Sequence, residues 1–262
     1  MVPILTFERA LWVVTVLLEA GLLVLLLYRK NNRAFPYFFA YALINFLQNV
    51  VLFECYRIWG FRSRATTTIA WGSQGLVILV RALAVAEICR RVLARYRGIW
   101  ALTGRVLLVT AGFVLLYSWA IARGSWQFAI LNSDRAVELA IAAVIVMLFT
   151  FAHYYEVGVE PAVRTLAVGF LLYSCFFVLN DTILESRLHR YTALWNLLGT
   201  LSFLASLVIW NWALREKQPE ATLAPEMLSD DVYRQMTPEI NSRLRALNDQ
   251  LNHFWHAEGK RS

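Results

Sequence analysis

Residues 10–28 read ALWVVTVLLEAGLLVLLLY, an apolar run broken by a single charge, Glu19. As a helix rising 1.5 Å per residue, it matches a hydrocarbon core about 30 Å thick. Six runs of the same character follow almost back to back: Pro36–Tyr56, Ile69–Cys89, Val106–Ala122, Ala136–His153, Ala162–Asp181 and Tyr191–Trp212. The runs are continuous rather than alternating, which excludes a β-barrel. The chain of 262 residues is 59% hydrophobic, against about 45–50% in soluble domains. The expected fold is therefore all-α: a polytopic bundle of seven transmembrane helices over residues 1–214, with a lipid bilayer as its solvent.

The first run is too long for a secretory signal, and Arg29, Lys30 and Arg33 follow it rather than precede it, so it reads as a retained span. Cys55, Cys89 and Cys175 fall at different depths and predict neither a disulfide nor a metal site. The net charge of +7 is not a nucleic-acid signal, because most of the basic residues sit in short loops between spans. Eleven Lys or Arg residues lie near the membrane on the side holding the loops after spans 1, 3 and 5, against eight on the other. The positive-inside rule then places the amino terminus outside and the tail in the cytoplasm. Trp100, Trp119, Trp126, Trp195, Trp210 and Trp212 lie near span ends, where indole rings favour the headgroup zone.

Charges inside spans are costly and point to function by default. Glu19, Asn45 and Arg81 each lie about 14–15 Å from the cytoplasmic ends of spans 1, 2 and 3. This common depth predicts a midplane cluster in which Glu19 pairs with Arg81 and Asn45 hydrogen-bonds to either. Such a pair either fixes helix register or handles a ligand or a proton. Glu87 with Arg91, Glu54 with Arg57, and Asp134 and Glu138 flanking Arg135 read as pairs at the membrane rims. Glu54, Gln74, Glu138, Asp181 and Asn196, with Asn180, either line an outward-facing cavity or form interhelical hydrogen bonds.

Several chemistries have no residues to carry them. The last span has no Lys for a retinal Schiff base. HExxH, a glycine-rich phosphate loop and a nucleophile elbow are absent. His153, His189, His253 and His256 make no ligand set for metal or haem. The sequence predicts no enzyme and no cofactor.

Beyond Trp212 the composition changes. Residues 215–228 read as a linker, and 229–262 as a cytoplasmic tail. Thr237, Pro238 and Glu239 form a strong helix start. Ile240, Leu244, Leu247, Leu251 and Phe254 then follow at 4-3-4-3 spacing, with Trp255 alongside, over a helix of about 238–257. A helix this short needs a partner in water: its own bundle, a second copy, a separate protein or the membrane surface.

Arg33 to Phe39 (RAFPYFF), Trp71 to Gln74 (WGSQ), Glu87, Asp134 with Arg135, and Ile240 to Asn248 (INSRLRALN) complete the signature. On these stretches, over most of its length, the chain resembles a loose group of uncharacterised bacterial heptahelical membrane proteins. The resemblance implies a prokaryotic inner-membrane location and carries no assigned chemistry. The expected function is sensory or partner-docking, with the tail helix binding a partner or a second copy. The alternatives are an ion- or proton-linked transporter, or a structural subunit of a membrane complex.

Overall fold

The computed structural model describes residues 6–60, 63–94, 97–122, 125–155, 157–186, 192–218 and 242, with side chains described for all of these except 6–9, 97–98, 180–186 and 192–196. Among the described residues there are eight helices and no strand: α1 (Thr6–Tyr28), α2 (Asn31–Ala34), α3 (Pro36–Trp59), α4 (Arg64–Leu93), α5 (Arg97–Ile121), α6 (Trp126–Tyr154), α7 (Pro161–Ser186) and α8 (Thr192–Ala213). The chain divides into two units, residues 1–221 and 222–262. The tail residues Ile240, Leu244, Leu247, Leu251, Phe254 and Trp255 lie outside the described residues, as does the expected helix over 238–257 apart from Ser242.

Among the described residues, five helices contain stretches long and apolar enough to cross a membrane: Ala10–Tyr28, Pro36–Trp59, Ile99–Ile121, Trp126–Tyr154 and Pro161–Leu179. Together they suggest a membrane protein. In α8 the apolar stretch Leu197–Ala213 is shorter. Helix α4 has 30 residues, but Arg81, Glu87, Arg90 and Arg91 dilute its apolarity.

The packing explains why α4 tolerates this. Helices α1, α3, α4, α6, α7 and α8 each border the next, and α8 closes back on α1; α4 also touches α7, and α5 lies outside against α4 and α6. With α3, α5, α6 and α7 around it, α4 buries Val77, Val80, Arg81, Ala84, Glu87 and Ile88 among protein rather than lipid. In α5 the opposite holds. Leu108, Val109, Phe113 and Leu116 are all at least 70% exposed, an apolar surface that a water-soluble monomer does not present.

The core is aromatic where α3, α7 and α8 meet. Phe38, Tyr41, Phe170 and Trp210 are almost fully buried, with ring centroids 4.8–6.2 Å apart. Trp210 corrects the expectation of a headgroup-zone indole: it is 1% exposed, and its Nε1 donates to the Leu166 carbonyl at 3.1 Å. Gly169 permits this approach, since a Cβ there would collide with the Trp210 indole. Trp119 and Trp212, by contrast, are exposed.

Two helix ends differ from expectation in ways that matter. Helix α6 starts at Trp126, well before Ala136, so Asp134 and Glu138 sit inside it rather than at a rim. Between α1 and α3 a single turn, α2, is entered through Lys30 in the left-handed region (φ 57°) and left through Phe35, with Pro36 opening α3.

Candidate functional site: a polar spine inside the bundle

The i, i+4 spacing of Asp134 and Glu138 puts both carboxylates on one face of α6. That face meets α4, and both carboxylates close on Arg81. Arg81 Nη1 donates to Asp134 Oδ1 at 3.2 Å and is also ion-paired with Glu138. All three side chains are at least 93% buried. The network extends both ways from this triad. Toward the α3–α4 turn, Gln74 Nε2 donates to Asp134 Oδ2 at 2.8 Å, and Gln48 Nε2 donates to Gln74 Oε1 and Ser73 Oγ. Toward α7, Ser174 Oγ donates to Glu138 Oε2 at 2.5 Å. The Tyr41 and Tyr173 rings flank the guanidinium, with centroids 6.0 and 5.4 Å away. A continuous polar spine thus links α3, α4, α6 and α7.

This corrects the expected Glu19–Arg81 pair. Equal depth is not adjacency: α1 borders α3 and α8, whereas α4 lies beyond α3 and faces α6 and α7. Arg81 therefore takes its carboxylates from α6. Asp134 and Glu138, expected as rim partners of Arg135, are those carboxylates.

Glu19 forms a second cluster with α3. Asn45 Nδ2 donates to Glu19 Oε1 at 2.6 Å, and Asn49 Nδ2 reaches both carboxylate oxygens at 2.8 and 2.9 Å. Asn45 and Asn49, four residues apart, share the α3 face toward α1. Beside them Glu19, Leu22, Tyr41, Ala42, Asn45, Phe203, Leu207 and Trp210 line a cavity of about 10 Å³, which is roughly room for one water.

A third set of contacts ties the α2 end of the bundle. Glu87 Oε2 accepts from the Phe38 backbone N–H at 3.0 Å, capping α3 from α4. Arg91, expected to pair with Glu87, instead bonds the Ala34 carbonyl, lies over the Phe35 ring at 4.0 Å and pairs with Glu160 at 3.2 Å. The short α2 has left the first α3 amides within reach of Glu87, while the Ala34 carbonyl draws Arg91 away from it. Asn31, fully buried, donates to the Leu214 and Glu216 carbonyls (both 3.0 Å) and accepts from Gln218 N–H at 2.8 Å. Carbonyls just past the end of α8 are thus met by a side chain 183 and 185 positions earlier in the chain.

Of the expected outer-cavity residues, Gln74 and Glu138 belong to the spine, where they bond protein groups rather than line a cavity. Glu54 stands apart in an exposed pair with Arg57 at 2.8 Å. The side chains of Asn180, Asp181 and Asn196 lie outside the described residues. Asn31, Gln48, Ser73, Asn49 and the buried role of Asp134 escaped sequence reasoning. For Asn49 and Asp134 a signal existed: the i, i+4 pairs 45/49 and 134/138.

All three cysteines are free. Among the described residues no group of three or more His, Cys, Asp or Glu side chains is placed to hold a metal ion. Fold and site together define an all-helical bundle with a membrane-type surface and a hydrogen-bonded polar interior. Compared with family models, curated proteins and solved structures, the chain matches none.

Proposed function

We propose that the chain is a seven-span inner-membrane protein of sensory or partner-docking type, with its amino terminus outside and its tail in the cytoplasm. In this reading α1, α3, α4, α5, α6, α7 and α8 all cross the bilayer. Helix α4 crosses because its charges are met by protein groups rather than lipid, and an odd number of spans separates the two termini. The bundle responds to a small or lipid-like ligand, and the tail helix passes the response to a partner or a second copy.

The observation that supports this most is the fastening of the segment leaving α8. Asn31 holds residues 214–218 through three hydrogen bonds to the α1–α3 turn. Glu87 and Arg91 hold that same turn from α4. In this reading a shift of α4 reaches residues 214–218 through these contacts. Transport draws less support, because the space beside Glu19 holds about one water and the spine groups bond one another.

The test is crosslinking and copurification from native membranes. Leu244→Asp with Leu251→Asp should remove the partner or the second copy, and Asn31→Ala should weaken its recovery while the bundle stays folded. An identical set of partners across all three proteins would end the docking reading.

A further inference from the structure

We propose that Glu19 is a proton-binding site, taking up and releasing one proton while it stays inside the bundle, with Asn45 and Asn49 serving either state. The site belongs to the bundle interior and is independent of what the tail binds.

Glu19 is 2% exposed and roughly 14 Å into α1 from Tyr28. The helices packed on α1 are α2, α3 and α8. From α3 it is faced by Asn45, Asn49 and the ring of Tyr41; Glu54 and Arg57 of that helix are exposed and paired with each other. The described side chains of α8 (197–213) include no titratable group. Arg33 of α2 is exposed at the bundle end. On α1 itself, Thr15 Oγ1 is committed to the Leu11 carbonyl. Arg81, the buried cation among the described residues, lies against the Tyr41 ring and already serves two carboxylates, Asp134 and Glu138. Glu19 is thus a buried carboxyl whose hydrogen-bond partners are neutral amides. An ion held this way in apolar surroundings is costly, and a proton removes the cost.

The amides make both states workable. With Glu19 ionised, Asn45 and Asn49 donate to it through Nδ2, as the distances of 2.6–2.9 Å record. When a proton from bulk water binds one carboxylate oxygen, the new O–H needs an acceptor. Turning one amide by half a rotation presents its Oδ1 for that bond, while the other amide goes on donating. The cavity of about 10 Å³, roughly room for one water, lies against both Glu19 and Asn45. Asp134 and Glu138 are instead tied to the Arg81 guanidinium and, through Gln74 and Ser174, to neighbouring side chains.

The probe is dicyclohexylcarbodiimide, an apolar reagent that modifies protonated carboxyls. It is applied to the full-length protein in lipid nanodiscs over a pH series, with the adduct located by mass spectrometry. Glu19 should be labelled, and labelling should fall about tenfold per pH unit above a midpoint. Asp134 and Glu138 should stay unlabelled, and Asn45→Leu or Asn49→Leu should move the midpoint. Glu19→Gln, which copies the neutral acid, should fold and melt like the parent. The acid carbonyl band in pH-difference infrared spectra should disappear in that variant. Labelling that is absent, or insensitive to pH, overturns the proposal. Protection by sodium ions at constant pH overturns it in favour of a metal-cation site, and a Glu19→Gln protein that fails to fold overturns it as well.

Discussion

Arg81 shows how one residue's neighbours decide its energetics. A charge buried among apolar side chains is expensive alone, and the cost is met here by two carboxylates on the next helix but one. Removing one partner from a buried ion pair typically costs about 3–5 kcal/mol, because the other charge stays behind. Arg81→Leu strands two carboxylates and should abolish folding or lower the melting temperature steeply, as followed by circular dichroism in detergent. A double-mutant cycle separates the two candidate partners. Arg81 and Glu138 should couple strongly, whereas Arg81 and Glu19 should be near additive, since they bond different partners. Strong coupling to Glu19 would contradict the geometry. Glu87 makes a smaller contribution: as a carboxylate cap on α3, its change to Ala should cost about 1–2 kcal/mol in the same melt.

At the scale of elements, the α7–α8 contact depends on what Gly169 lacks. The indole of Trp210 occupies the space a Cβ would fill, and both Trp210 Nε1 and Ser206 Oγ bond carbonyls of α7. Gly169→Ala should therefore destabilise the bundle by about 1–3 kcal/mol, the usual range for overpacking. Trp210→Leu in the same chain should recover part of that loss, and an unaffected melting curve for Gly169→Ala alone would refute the close approach. Asn31 has an equivalent role between α2 and the end of α8. Asn31→Ala should raise protease cleavage between residues 215 and 228 while leaving helical content unchanged. The motif RAFPYFF was visible in the sequence, but its purpose was not. Pro36 starts α3, while Arg91 holds Ala34 and Phe35 and Glu87 caps Phe38, both from a helix some fifty positions on.

For the whole molecule, the medium is the decisive variable. Helices α1, α3 and α5 carry exposed Leu, Val, Phe and Trp along their outer faces while the polar spine sits inside, an arrangement suited to a solvent of hydrocarbon. With native cysteines replaced, Ser63→Cys should react with an impermeant maleimide added outside the cell, and Lys217→Cys only after the membrane is opened. The reverse pattern would invert the proposed orientation.

Apolar run length and composition alone made the helices and the membrane-type surface readable, because bilayer thickness and helical rise act along one axis. Which charge meets which was decided only by the tertiary structure. Pairing depends on the angle around each helix and on which helix stands beside it, and chain order does not encode either when α3 separates α1 from α4. For that reason Arg81 belongs to Asp134 and Glu138, and Glu19 is left to two amides.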